Sequence, residues 1–230
     1  MVALITSRRA SRDRSVAILA RAGFVPAPWL PLREHGAALR PTVEIAARLM
    51  AVGALAAWVD GDEERTPSPA VELHVARSTL RAALTADERA VLDLPRPEAR
   101  GAYREAMSWH TDELWSLAWI LGMDPPPGFD GRAPSRELGT ALRVFALRGL
   151  DASAEGFAAR VTLRPAAEVV VVEDLFLCVH NAAFRAALGE PTAPSSFDPE
   201  TAGAAIQARR HGLTWSLSPG VSWEETDLGI

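Results

Sequence analysis

Proline and glycine cut the chain into blocks, and inside those blocks the apolar residues recur at a period near 3.6 rather than 2, which predicts helices with one buried face. The clearest block follows Pro41, where Ile45, Leu49, Val52, Ala56 and Val59 step by four and three along one face. Pro41 suits a first turn, and Glu44 four residues ahead of Arg48 is the orientation that supports an exposed helix face. Before it, residues 12–22 predict a short amphipathic helix stopped by Gly23, with residues 1–10 as a flexible start. Pro26, Pro28 and Pro31 then hold an extended segment across Trp29. After it, residues 61–69 read as a charged loop and residues 70–84 as a helix. Thr85 with Glu88 is a capping box that opens another short helix, ended by Pro95 and Pro97.

The block at 98–121 is apolar nearly all round in its second half, from Leu114 to Leu121, which places it at the centre of the fold. A further helix is expected near 135–149. The four valines at 169–172 would suit a buried strand. Their flanks favour a helix over 165–187, because Pro165 and Glu168 are first-turn residues and Val169, Val172, Phe176, Val179 and Ala183 share one stripe. Asp198-Pro199 opens the last long helix, about 199–217, and Ser222 with Glu225 caps a final turn. The expectation is an all-α fold, a single-domain array of about eight helices over residues 1–230, centred on 98–121, 165–187 and 199–217, with no internal repeat.

Composition narrows the function classes. A net charge of −5 gives no basic face for nucleic acid. All 24 basic residues are arginine, which fits codon usage in a GC-rich genome. The one cysteine, Cys178, excludes an internal disulfide and a multi-cysteine zinc site. There is no signal-like start and no apolar run approaching a span of ~20 residues, so the chain reads as cytoplasmic, with no membrane partner.

Phosphate loops, i,i+4 histidine pairs and nucleophile elbows are absent from the sequence. What remains is a set of polar residues in helices that otherwise look buried. Arg210 shares a face with Ile206, Leu213 and Leu217, and Glu113 is placed likewise on the central helix, so the two are natural partners, with Asp174 a second candidate. Asp174, Cys178, Asn181 and Arg185 form a polar stripe, flanked by Glu173 and His180, that is either a solvated face or a cleft wall. Arg209 and His211 complete the candidate cluster. The ion pair is read as architectural in preference to catalytic. Seven tryptophans against one tyrosine is unusual, and Trp109, Trp119, Trp215 and Trp223 are candidate pocket walls, although filling of the core is the preferred reading. No metal and no cofactor are expected, because the histidines are sparse and none has zinc-site spacing with acidic partners.

These residues carry a resemblance. Arg14-Ser15, Leu30-Pro31, Glu44-Ile45-Ala46, then Trp109, Glu113, Trp119 and Gly122, Leu163-Arg164-Pro165, Asp174-Leu175 with His180 and Asn181, Arg209-Arg210-His211 with Leu213 and Trp215, and the closing Leu217-Ser218-Pro219-Gly220 with Trp223, Glu224, Thr226 and Asp227 follow one another as in the domain of unknown function family 4272. The resemblance covers most of the chain. It implies a helical fold and a cytoplasmic setting and supplies no mechanism. Two functions are carried forward: a non-catalytic binding or assembly module that partners another bacterial protein, and a small-molecule or enzymatic site built from Asp174, His180, Arg210 and His211.

Overall fold

In a computed structural model, the described residues are 2–32, 38–61, 67, 69, 71, 72, 75, 80–104, 108–147 and 153–229, with side chains described for all of these except 2–7, 108 and 109. They form nine α-helices, one 3-10 turn and no strand. The helices are α1 (Val2–Arg21), α2 (Thr42–Asp60), α3 (Ala86–Leu92), α4 (Arg96–Tyr103), α5 (Ser108–Ile120), α6 (Arg136–Ala146), α7 (Ala154–Ala158), α8 (Ala166–Ala187) and α9 (Thr201–Ser216). The 3-10 turn, η1, is Leu80–Ala83. The all-α expectation stands, and the four valines lie in the first turns of α8.

Three boundaries differ from the sequence reading. Helix α1 runs back to Val2, through the segment expected to be flexible. The expected helix at 98–121 is two helices, α4 and α5. Helix α4 has an anchor of its own, because Arg96 and Arg100 reach the end of α2. Most of the helix expected at 70–84 falls outside the described residues; residues 71, 72 and 75 are helical, and 80–83 are the 3-10 turn. Residues 62–66 of the charged loop also lie outside them.

Helix α2 is the hub, packing against α3, α4, α5, α6, α7 and η1, while α9 packs against α5 and α8, and α8 against α1. By length and hydropathy α2 would suffice to cross a bilayer, but residues 45, 46 and 48–59 are all buried against the other helices, so its apolar character is used in the core. Gly53 is where α6 comes closest. A Cβ there would lie 2.5 Å from Ala146 Cβ, so only glycine permits the approach. Arg48, read from the sequence as part of an exposed face, is 1% exposed. The Glu44–Arg48 spacing is that of an i,i+4 pair, but Arg40 takes Glu44 and Glu88 takes Arg48.

One device closes three helices. A helix leaves its last carbonyls without partners, and a buried end needs donors for them. At the end of α2, Arg96 Nε donates to Trp58 O at 2.9 Å and its guanidinium lies over the Trp58 ring, 5.8 Å from the centroid. At the end of α5, Arg164 Nε donates to Trp119 O at 2.8 Å and lies 4.8 Å over Trp119. At the end of α9, Arg40 Nε donates to Trp215 O at 2.8 Å and lies 4.2 Å over Trp215. The same tryptophan thus supplies both the carbonyl and the ring, and the arginine's positive charge sits at the negative end of the helix. In each case the arginine precedes a proline: Arg40-Pro41, Arg96-Pro97 and Arg164-Pro165. Proline keeps its predecessor out of the middle of a helix, so the arginine stands at the entrance of the following helix and reaches back to the end of another.

A lysine at position 164 would keep the charge but lose the planar fork that serves Trp119 O, Met123 O and Asp124 together. Arg164→Lys is expected to destabilise the chain by about 1–2 kcal/mol, measured as a lower urea midpoint with an unchanged slope.

Candidate functional site

The buried polar side chains form separate groups, each fixed by an arginine. On α9, Arg209 and Arg210 are adjacent, fully buried and aimed at different helices. Arg209 binds Asp112 of α5, Nε and Nη2 lying 2.8 and 2.7 Å from Oδ1. It also donates to the carbonyls of Gly128 and Arg132, and its guanidinium lies 4.8 Å over Trp115. Burial raises the Asp112 pKa against the opposing pull of Arg209.

Arg210 turns to α8. Its Nε lies 3.3 Å from Glu173 Oε1, its Nη1 lies 2.9 Å from His180 Nδ1, and Nη2 donates to Leu228 O near the C-terminus. Thr214 Oγ1 donates to the same Glu173 oxygen at 3.0 Å. A guanidinium only donates, so His180 Nδ1 accepts and the ring proton sits on Nε2. Burial, and then the Arg210 charge, push the His180 pKa down to about 4. Arg210 is therefore buried and paired with an acid as expected, but the acid is Glu173 rather than Glu113 or Asp174.

Asp174 faces the other way, towards α1. Arg12 grips it with Nε at 3.0 Å and Nη2 at 2.6 Å from Oδ1, and Ser15 Oγ donates to Oδ2 at 2.9 Å. Asn181 accepts the Ala27 amide at 2.9 Å, which ties the extended segment after α1 to α8. Arg185 pairs with Glu190 near the end of α8 and is half-buried. Burial raises the Cys178 thiol to about 12, so it is an inert core residue.

The third group lies between α2, α3 and α5. Arg48 binds Glu88 through two bonds, Nη1–Oε2 at 2.6 Å and Nη2–Oε1 at 2.8 Å, and lies 3.9 Å over the Trp223 ring. Burial works against the Glu88 carboxylate, but His110, Arg48 and the Thr85 amide outweigh it and hold its pKa far below the ordinary value. Glu113 Oε2 stands 3.6 Å from Arg48 Nη2, beyond hydrogen-bonding distance, and burial raises its pKa. His211 Nε2 lies 3.0 Å from Trp223 O and its ring edge meets that indole at 4.3 Å. A carbonyl only accepts, so the proton is on Nε2, and burial lowers the pKa of the ring.

Beside this group opens a cleft of about 400 Å³ between α2, η1, the start of α7 and residues 221–224. Trp215 and Trp223, packed edge to face with centroids 5.2 Å apart, form its aromatic wall. Of the four candidate aromatics these two reach a cavity. Trp119 is buried beneath Arg164, and the Trp109 side chain lies outside the described residues. Asp174, His180, Arg210 and His211 do not converge: the first binds α1, the next two meet each other between α8 and α9, and the last lies behind Trp223. The sequence reading missed Arg12, Arg40, Asp112 and His110 altogether. The three Arg-Pro dipeptides were a visible signal for Arg40. The i,i+3 pair His110 and Glu113, preceded by the capping-box glutamate Glu88, was a visible signal for the third group.

The fold and site define an all-helical array pinned by buried arginine–carboxylate pairs and by arginine caps over helix-end tryptophans. The chain belongs to the family described as a domain of unknown function (DUF4272), whose match spans residues 11–226. No curated protein and no solved structure matches it.

Two outcomes follow from this geometry. Arg210→Met leaves Glu173 desolvated without its arginine and is expected to cost about 3–5 kcal/mol in urea unfolding, most of it recovered when Glu173 is also replaced by leucine. Arg185→Met at the half-buried pair changes stability by less than about 1 kcal/mol. Folded His180 stays neutral down to about pH 4, whereas the unfolded chain takes up that proton near its ordinary value of 6.5. The unfolded state therefore binds more protons in this window, and stability falls as the pH drops through it, by up to about 3 kcal/mol. Urea melts across the window should show a flatter profile for His180→Gln.

Proposed function

We propose that this chain is a non-catalytic binding domain, and that its ligand is a small molecule with an apolar body and a cationic group held in the cleft beside Trp215 and Trp223. The cleft itself carries the reading. Its volume is that of a small-molecule site. Its two arginines are spent internally, Arg40 on Trp215 O, Glu44 and Ser218 O, and Arg48 on Glu88 and Ala83 O. That leaves Glu155 and Glu224 around the opening, an acidic surround that favours a cation beside aromatic walls.

The lining has no chemistry of its own among the described residues. It holds neither histidine nor cysteine, and the hydroxyls of Thr85 and Ser222 accept the amides of Glu88 and Glu225 as caps. The alternative site of Asp174, His180, Arg210 and His211 has its groups already engaged, Asp174 by Arg12 and Ser15, His180 by Arg210 and His211 by the Trp223 carbonyl, in keeping with an architectural role. The setting we assign is the cytoplasm of a bacterium, on the all-arginine composition and the lone buried cysteine.

Tryptophan fluorescence tests the reading. Benzyltrimethylammonium should quench saturably and phenylacetate should not. Glu155→Gln combined with Glu224→Gln, both exposed changes, should weaken ammonium binding several-fold, and Trp223→Ala by about tenfold, within the range of a desolvated cation–π contact. Tighter binding of the carboxylate, or an affinity indifferent to all three substitutions, would sink the proposal.

A further inference from the structure

Among the described residues, most of the buried side-chain atoms that lack a hydrogen-bond partner are gathered in one group. His110 and Glu113 stand three residues apart on α5 and so share a face. Glu88 meets them from α3, where its place in the capping box with Thr85 fixes the side chain. One ligand atom from each of the three lies within 4.8 Å of the others. Both ring nitrogens of His110 and Oε2 of Glu113 are out of contact with solvent and have no hydrogen-bond partner. A buried polar atom left unpaired is costly. Three of them converge here, and Arg48 Nε beside them also has no hydrogen-bond partner.

The one short separation in the group fits a shared ion better than a hydrogen bond. His110 Nε2 lies 3.3 Å from Glu88 Oε1 without the alignment of a hydrogen bond. That separation is the edge of a tetrahedron with metal–ligand bonds of ~2.0 Å. Arg48 covers only part of the negative charge. It grips Glu88, stays 3.6 Å from Glu113, and leaves two carboxylates facing one guanidinium. Oxygen Oε1 of Glu88 accepts one bond from Arg48 and keeps a lone pair free for a second partner.

We propose that Glu88, His110 and Glu113 bind one divalent cation of the zinc type, with water as the fourth ligand and Arg48 bracing Glu88 from outside the coordination sphere. The imidazole selects against magnesium and calcium, which take oxygen ligands. Two carboxylates and a neutral imidazole balance the dication, while the guanidinium on Glu88 lowers the donor strength of that ligand and places Glu113 and His110 as the stronger pair. The ion would join α3 to α5 beside α2, and it is independent of what occupies the cleft.

The test uses the full chain, stripped with a chelator and titrated calorimetrically with zinc chloride and, separately, magnesium chloride. Zinc is expected to bind at one per chain and to raise the melting temperature with the logarithm of its free concentration, while magnesium gives no heat. His110→Gln and Glu113→Gln should each weaken zinc by at least about tenfold. Cobalt(II) in place of zinc should give the visible absorption of a four-coordinate site, abolished in Glu113→Gln. If His110→Gln fails to fold by circular dichroism, Glu113→Gln decides. Absence of zinc uptake in excess zinc, or uptake of unchanged affinity in Glu113→Gln, overturns the proposal: the first would mean that a proton alone completes the cluster, the second that another histidine holds the metal.

Discussion

A guanidinium cannot give up its proton inside a protein, so once it is buried the surrounding structure must be built to suit it. Arg40, Arg48, Arg96, Arg209 and Arg210 are all buried, and each reaches a different part of the chain. Lysine in these places would shed its charge or present its three donors from a single nitrogen, without the planar fork. Arginine holds two or three at once, and its flat face remains free for an indole. The abundance of tryptophan and the exclusive use of arginine, which look like separate oddities of composition, are thus coupled in the structure: Trp58, Trp115, Trp119, Trp215 and Trp223 each lie beneath a guanidinium. Packing accounts for where these arginines are placed.

Helical periodicity was the strongest signal in the chain, and it carried the helical nature of the valine run and the central position of α5 and α9, while the Thr85 capping box marked the start of α3. The burial of Arg210 was also legible, because a charge in the stripe Ile206, Leu213, Leu217 must be buried with its neighbours. Its partner was not. Glu173 and Asp174 are consecutive on α8 and point about 100° apart, and only the packing of α1 against one side and α9 against the other decides which acid meets which arginine. Arg48 was misread for a related reason. An i,i+4 acid looks the same whether it pairs along the helix or faces solvent, and the competing acid, Glu88, is 40 residues away in the sequence.

The cleft was the least legible feature. Its walls come from α2, a 3-10 turn, the start of α7 and the segment after α9, none of which announces a pocket by itself. Trp215 and Trp223 were visible as aromatics, but their use depends on Arg40 and Arg48 pressing against those same indoles. A core-filling tryptophan and a wall-forming one are therefore not alternatives here. Each ring is packed beneath a guanidinium and borders the cleft as well.

The adjacency of Arg209 and Arg210 makes α9 a keyed shaft. Helices packed only through apolar side chains can slide or roll past one another at small cost, and many signalling proteins rely on that freedom. Here one key engages Asp112 on α5 and the other Glu173 on α8, so any roll of α9 that keeps the first withdraws the second. The helix is locked both in angle and in height. Whatever enters the cleft, α9 can transmit nothing by turning, and a response to a ligand has to travel through the chain beyond it, where residues 221–224 border the cleft and Leu228 rests on Arg210.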